Sequence, residues 1–576
     1  MLKNESRGDI MNIPSEKLAF DHLLDISMQL SSEESSDILM EKILMAAMEV
    51  ANADAGSIYM VTDSHTLEFQ TIINKSLNLH IGGSSKQEVN FPAIPLFIND
   101  EPNKFAIVAH TVNTASLVNI DDVYDVLPFD FSAARHMDKV NGYRTKSMLT
   151  LPLKDHTGDI VGAVQLINAM KGNEIIRFNK QIERQILSFA SLGAIALTNR
   201  TLINNMEALF ESFAKTIAVA IDAKSPHTGK HCERVPKLTL MMADATHLEK
   251  NGPLGDFKLS EQDRYQLEIA GWLHDCGKIA TPDHIIEKET KLQTIFDRIE
   301  YVNAKLEIVS RDIEIDYQSK IIAALQNNNT EASQRLLLEK EAKQKTLNED
   351  RMFLQRINVG AEFLTSDQEK NIHTIAARYK VSIMGKTQAL LNDDEVMNLS
   401  IKRGTLNHKE RLKIQEHMDV TQDILETLPF PKQLSNVIEY ALGHHERMDG
   451  TGYPKGLTKE QMSVPARLMA VADVFEALSA ADRPYKKAKS VSECLTIMGR
   501  MVLNNHLDED LFTIFVRSKV YEPYIIEFAD PEQLDEFDIE DIPGLQHYDT
   551  PANVNLGETS EYNKYLTNNS KVLSCS

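Results

Sequence analysis

From residue 15 to 51 the apolar positions fall at helical spacing: Leu18, Phe20, Leu23, Leu24, Ile26 and Met28, then Ile38, Leu39, Ile43, Leu44 and Met48. The pattern then changes to strand-like runs, of which 56–62 (GSIYMVT), 147–153 (SMLTLPL) and 160–168 (IVGAVQLIN) are the clearest. The last two flank KDHTGD, whose turn formers predict a hairpin. Residues 179–224 return to helical spacing. Helix, then strands with long loops, then helix predicts a compact α+β sensor domain over residues 16–200, behind a loose polar tail at 1–15. Residues 190–222 hold an apolar helical repeat without Pro, and without Gly after Gly193. A connecting helix of this kind pairs with a second copy of itself, so a homodimer is expected.

From residue 213 to 503 the chain reads as mostly helical. Within it, residues 287–404 stand apart as charged and helix-favouring, with a break at 326–330 that predicts two long antiparallel helices joined by NNNT. The acidic stretch 521–576, rich in turn formers, is expected to be partly disordered.

A chain of 576 residues predicts two or three domains. With 61 Lys and Arg against 84 Asp and Glu, the net charge is −23. That balance argues against a nucleic-acid polymer as partner, because the general attraction to many phosphates is lacking. Cys232, Cys276, Cys494 and Cys575 lie far apart, which excludes a disulfide scaffold and fits a reducing, cytoplasmic location. No apolar run approaches a membrane span, and the polar N-terminus does not read as a signal peptide.

Two segments carry chemistry: 272–283 (WLHDCGKIATPD) and 444–454 (HHERMDGTGYP). His274 and Asp275 follow an apolar stretch, where a buried carboxylate is costly unless paired or metal-bound. His444 and His445 are adjacent imidazoles, each with two ring nitrogens to satisfy. Imidazole and carboxylate together fit iron, manganese or zinc. Lys278, four residues after His274, is expected on the same helical face and within reach of a scissile phosphate. Glu446 and Asp449 are expected to orient the ligands. Asp473, inside the apolar run LMAVADVFEAL, is read as a bridging ligand. The glycines of the second segment predict tight turns with backbone N–H groups free for an anion.

The hairpin SMLTLPLKDHTGDIVGAVQLIN, followed by FNKQIERQILSFASLGAIAL, resembles the end of a GAF domain. Members that bind cyclic nucleotides carry an Asn–Lys and a later Asp–Glu. Here Ala169 follows Asn168, and Ile182 and Glu183 follow Phe178, so the signal sensed is an unknown small molecule or protein. The two chemistry-bearing segments resemble those of HD-GYP domains, which carry HDxGK and HHExxDGxGYP, then an Asp and an RPY run. The matching residues are His274–Lys278, His444–Pro454, Asp473 and Arg483, Pro484 and Tyr485, within residues 205–520.

The resemblance implies a multidomain protein, the α+β sensor followed beyond the connecting dimerisation helix by an all-α phosphohydrolase domain; the helical hairpin expected at 287–404 is an insertion where the family has a short link. The resemblance also implies metal ligands at His231, His274, Asp275, His417, His444, His445 and Asp473, with His227 as a further ligand if it lies one turn before His231 on a helix. Two or three divalent ions are expected, iron first and manganese as the alternative. Asp275 and Lys278 would be catalytic. Lys278, Arg483 and Lys486 would bind phosphates, Gly450 and Gly452 would leave room for a dinucleotide, and Tyr453 would pack on the loop or a base. The activity implied is hydrolysis of cyclic di-GMP to pGpG and/or GMP under control of the GAF domain. The alternatives are another cyclic dinucleotide, or a weakly catalytic scaffold that binds partners through the GYP loop and the insertion.

Overall fold

The computed structural model describes residues 33, 35–125, 128–224, 230–360, 363–480 and 488–546, and the chain divides into two compact units after Phe210. The expected tail at 1–15, the first part of the opening helical run, His227, Arg483, Lys486 and residues 547–576 lie outside the described residues.

In the first unit, helix α1 (Ser36–Val50) starts where the Ser35 hydroxyl accepts the Ile38 amide. Strands β1 (Ala53–Val61), β2 (Thr66–Asn74), β3 (Leu79–Ile81), β4 (Val118–Ile120), β5 (Met148–Lys154) and β6 (Ile160–Lys171) form an antiparallel sheet in the order β3-β2-β1-β6-β5-β4. Two short strands, Ile94–Pro95 and Glu174–Ile176, pair with β2 and β6. The hairpin expected around KDHTGD is β5–β6, with Leu149 opposite Leu166.

Period-2 alternation gives this sheet two cores. Leu149, Leu151, Leu153, Val164 and Leu166 pack under α1 with Ile43 and Leu44. Met148 and Ala163 turn to the other face, where Ile107, Val108 and Val112 cover them. Asn168 is a lock on the chain: its side chain accepts the Lys146 amide and donates to the Arg144 carbonyl.

Helix α2 (Lys180–Lys224) runs unbroken for 45 residues. Among the described residues it is the helix long and apolar enough to cross a membrane by length and composition. Its Ile186, Phe189, Ala190, Ala194 and Leu197 are buried in the core under α1. Leu202, Met206, Leu209 and Phe213 remain exposed.

The second unit is mostly helical. Helices α3 (His231–Leu248) and α4 (Glu261–Leu273) pack together, and α4 is capped by Ser260. Helices α5 (Ile299–Gln326) and α6 (Thr330–Asn358) are the two expected from the charged stretch, antiparallel across residues 327–329. Lys340 pairs with Glu314 and Arg351 with Glu307 along their seam.

The stretch 287–404 is more than that hairpin. It adds α7 (Ser366–Arg378), started by a Thr365/Gln368 capping box, and the strand pair β7 (Lys380–Ile383) and β8 (Lys386–Ala389). Met384 and Gly385 turn between those strands, both at positive φ. The sequence hides this pair because each strand has only four residues inside a charged, helix-favouring stretch. Leu306, Leu347, Leu354, Ile372, Ile375 and Val381 close a separate core beneath these elements. A buried Lys305–Glu395 pair at 2.9 Å ties α5 to the helix Asp393–Leu399.

Lys291 lies in the same region, 1% exposed, and among the described residues its ammonium donates to the carbonyls of Leu399 and Ile401. Burial pushes its pKa down to about 8. The charged form is therefore penalised in the fold, fully below pH 8 and progressively less up to the unfolded value of 10.5. Relative to Lys291→Met, the native chain should gain stability as pH rises through that window, by up to about 3 kcal/mol. Urea unfolding of both chains at pH 7 and pH 9.5 reads this difference, and a pH-independent gap would refute it.

Helices α8 (His417–Thr427), α9 (Val437–Leu442) and α10 (Val464–Ser479) complete the layer around the site. The start of the expected disordered tail is instead structured up to residue 546. Tyr521–Phe528 is helical, and Gln533 is buried with its amide on the carbonyls of Ser479 and Lys489. Tyr521, Tyr524 and Ile525 supply the apolar face that an acidic composition masks.

Candidate metal centre

Helix α4 ends at Leu273, and His274 caps it. The chain then tightens into a 3-10 turn, Cys276–Ala280, with Asp275 at its start. The turn crosses α8 so closely that a Cβ on Gly277 would strike the His417 carbonyl and the Thr421 amide, so only glycine fits. The Gly277 amide donates to the Thr421 hydroxyl at 3.0 Å, which locks the two elements together. Lys278 does not share a helical face with His274, because the α-helix has already ended. Its ammonium pairs with Asp275 Oδ2.

Four further elements bring side chains to Asp275. His231 opens α3, with Nε2 at 3.2 Å from Asp275 Oδ2 and 3.4 Å from Asp473 Oδ1. His274 Nε2 is 3.3 Å from Asp275 Oδ2 and 3.9 Å from Asp473 Oδ1. His417 opens α8 and holds Nε2 at 3.4 Å from Asp275 Oδ1. His444, in the 3-10 turn Gly443–His445, holds Nε2 at 4.0 Å from the same oxygen. Asp473 comes from the middle of α10.

The ring orientations follow from hydrogen bonds on the opposite nitrogen. His274, His417 and His444 each direct Nδ1 at the carbonyl three residues earlier, on Gly271, Ile414 and Ala441. That fixes the tautomer with the proton on Nδ1 and leaves the Nε2 lone pair facing the centre. His231 Nδ1 instead meets Glu476 Oε2 at 2.5 Å, and Arg234 Nε donates to Glu476 Oε1 at 2.6 Å. Glu476 is the functional residue missing from the sequence reading. Its signal was its place one turn after Asp473 in an otherwise apolar helix.

These donors fit divalent cations. His231 Nε2, His274 Nε2, Asp275 Oδ1, His417 Nε2 and His444 Nε2 are all buried without a hydrogen-bond partner. Such atoms are expensive to hide unless something is bound to them. They form two overlapping groups able to hold metal: Asp275, His417, His444 and His445 in one, and His231, His274 and Asp275 in the other. Asp275 is common to both. Asp473, read from sequence as the bridge, lies beside His231 and His274 at the margin of the second group.

The electrostatics agree with that chemistry. Burial and the neighbouring His274 push His444 down to about 3. Burial and His444 hold His445 well below its ordinary value, so both rings are neutral ligands at neutral pH. Burial works to raise Asp275, but Lys278 and His274 outweigh it and keep the carboxylate ionised. Lys278 is held above its ordinary value, since Asp275 and Asp473 outweigh burial.

The GYP loop behaves differently from its sequence reading. Glu446 and Asp449 orient no ligand. Glu446, 1% exposed, accepts the amides of Lys455 and Leu457. Asp449 accepts the amide and hydroxyl of Thr451. The amides of Gly450 and Tyr453 go to the carbonyls of Arg447 and His445. The loop therefore spends these N–H groups on itself and presents no anion nest with them. Gly452 is a glycine because the chain folds back onto Glu446 and Arg447, with no space for a Cβ. Gly450 sits at φ +76, with the Gly456 carbonyl and the Thr458 methyl each 3.2 Å from where a Cβ would stand. Tyr453 stacks on His445, with ring centroids 4.9 Å apart.

A cavity of about 300 Å³ opens onto the centre, lined among others by Arg234, Lys278, His417, His445, Tyr453 and Asp473. No residue of the 287–404 insertion is among its lining residues. Ala480, which borders the undescribed stretch 481–487, forms part of its rim.

Comparison with known proteins agrees with this architecture. The GAF domain family matches residues 37–197, and two HD domain families match residues 228–354 and 364–511. The 3'3'-cGAMP-specific phosphodiesterase 1 of Vibrio cholerae is 35% identical over 164 residues, 28% of this chain and 36% of that protein. The cyclic di-GMP phosphodiesterase PA4108 of Pseudomonas aeruginosa is 46% identical over 82 residues, 14% of this chain and 19% of that protein. The 3'3'-cGAMP-specific phosphodiesterase 3 of Vibrio cholerae is 37% identical over 128 residues, 22% of this chain and 27% of that protein. The chain thus spans between 19% and 36% of the length of these relatives. It carries a GAF domain match ahead of HD domain matches over the helical unit whose His and Asp residues converge.

Proposed function

We propose that this chain is an HD-GYP phosphodiesterase that hydrolyses cyclic di-GMP to pGpG and/or GMP under control of its GAF domain. The observation that carries the reading is the set of buried Nε2 and carboxylate atoms, without hydrogen bonds, around Asp275. Bound divalent ions, iron or manganese, would neutralise the phosphodiester and lower the pKa of an attacking water. Asp275 is shared by both ligand groups. His231, His274, His417, His444, His445 and Asp473 would complete them.

Lys278 keeps a charged ammonium at the cavity wall, where it can meet a non-bridging phosphate oxygen. Tyr453 holds the His445 ring by stacking and bounds the space for a base. The exposed apolar positions of α2 from Leu202 to Phe213 support a homodimer through that helix.

A second reading takes 3'3'-cGAMP as substrate, favoured by two relatives of that name. The test is a panel of cyclic di-GMP, 3'3'-cGAMP and cyclic di-AMP with anaerobically prepared, metal-analysed protein. Faster turnover of cyclic di-GMP supports the first reading, and faster turnover of 3'3'-cGAMP replaces it with the second. No turnover of any member by metal-loaded chain would refute both.

A further inference from the structure

Helix α2 ends at Lys224, and its last turn touches two of the segments that carry the centre. The Lys224 ammonium donates to the carbonyls of Ile279 at 2.5 Å, Thr281 at 2.7 Å and Lys278 at 3.4 Å. It also lies 3.6 Å from Asp283 Oδ1. An ammonium has three donors, and here three carbonyls converge on it. The last carbonyls of a short helical turn have no partner within the turn, so a side chain that supplies donors fixes where the turn ends. The turn capped in this way is Cys276–Ala280, which contains Lys278 and begins at Asp275.

Two residues earlier, burial raises the pKa of the Asp222 carboxylate, which lies close enough to Cys232 and Lys230 for both to lower it in part. Those groups flank His231, the first residue of α3. The last turn of α2 therefore lies beside the start of α3 and holds the segment after Asp275 with a cation.

We propose that Lys224 is a positioning residue for the metal centre, setting the 3-10 turn so that Asp275 and Lys278 face the histidines. The inference rests on the function proposed above, but it concerns ligand geometry and not substrate choice. Displacing the turn by a fraction of an ångström would shift the one carboxylate common to both ligand groups. Sites of this kind are sensitive at that scale, and removing a group that orients a ligand weakens metal binding by about 10- to 100-fold. The coupling also runs the other way: an axial or rotational shift at the end of α2 would be felt at Asp275 through three hydrogen bonds.

The experiment compares full-length wild type, Lys224→Met and Lys224→Arg. Mn²⁺ binding is measured by equilibrium dialysis, kcat and KM on the best cyclic dinucleotide, and Tm on the metal-free chains. The expected result is about tenfold weaker Mn²⁺ binding and a similar fall in kcat for Lys224→Met, with KM and metal-free Tm unchanged. Lys224→Arg, which keeps the donors, should restore most of both. Wild-type Mn²⁺ affinity in Lys224→Met overturns the proposal. So does a fall in metal-free Tm that accounts for the loss, since that marks a purely structural role, and so does failure of Lys224→Arg to restore binding. If no cyclic dinucleotide is hydrolysed but the affinity difference holds, the proposed function fails and the positioning role stands. If the wild type binds neither Mn²⁺ nor, under anaerobic conditions, Fe²⁺, both fail.

Discussion

Replacing Asp275 with Ala should abolish turnover, with a loss of at least ~10³-fold, the upper end for removing one preorganised group from an active site. The size follows from its position. Its carboxylate belongs to both ligand groups, and four imidazole Nε2 atoms lie within 4.0 Å of one of its oxygens. No single histidine has that reach. Metal content should fall with activity. Ligand binding to the native state stabilises by about 2.7 kcal/mol at a hundred times Kd, so Mn²⁺ should raise the Tm of wild type and leave that of Asp275→Ala almost unmoved. A variant that keeps both its metal and its turnover would sink the assignment of Asp275. The metal-free variant should not be grossly unfolded, because a crowded buried carboxylate is lost along with its demands, although Lys278 loses its partner.

The second large effect is expected at Glu476. This carboxylate, 1% exposed, holds His231 Nδ1 on one oxygen and Arg234 Nε on the other. Glu476→Ala leaves the buried Arg234 without this counter-charge and should cost about 3–5 kcal/mol of stability. Glu476→Gln separates the two roles. It keeps the shape and one acceptor, but removes the charge that draws His231 above its ordinary pKa against the opposing effect of burial. Metal affinity should then fall by about 10- to 100-fold while the chain stays folded. Metal titration combined with circular dichroism on both variants checks this pair of outcomes. Wild-type metal affinity in Glu476→Gln would show that His231 needs no carboxylate behind it.

Much of the site was legible because its residue pairs are unusual in apolar surroundings. His274–Asp275 and His444–His445 announce themselves in sequence, and period-2 alternation exposed β5 and β6. The supporting residues were not legible in the same way. Glu476 acts on a histidine 245 positions earlier, and only the fold brings the two together. Glu446 sits directly after the histidine pair, yet its carboxylate turns away to the loop amides. Adjacency in sequence suggested a role that the backbone direction denies. The glycines of the loop were read as exposing N–H groups, whereas the Gly450 amide, like that of Tyr453, is bonded within the loop. Lys278 was placed by α-helical spacing, but the helix ends at Leu273 and the tighter turn carries the lysine to Asp275. The Lys278 miss arises from geometry at a helix end, where spacing rules lapse.

The ligand-bearing elements are spread from His231 to Asp473, and the 287–404 stretch with its own apolar core lies between them. On the ribosome, the first half of the centre would emerge early, with His231, His274 and Asp275 waiting while the intervening core folds. The group containing His417, His444 and His445 could form only after some 170 further residues had been made, and Asp473 would follow later still. An ion captured by the nascent chain would therefore meet the smaller group first. Completion of the centre would mark the end of folding of this unit, so metal retention would report on the finished fold as well as on catalytic competence.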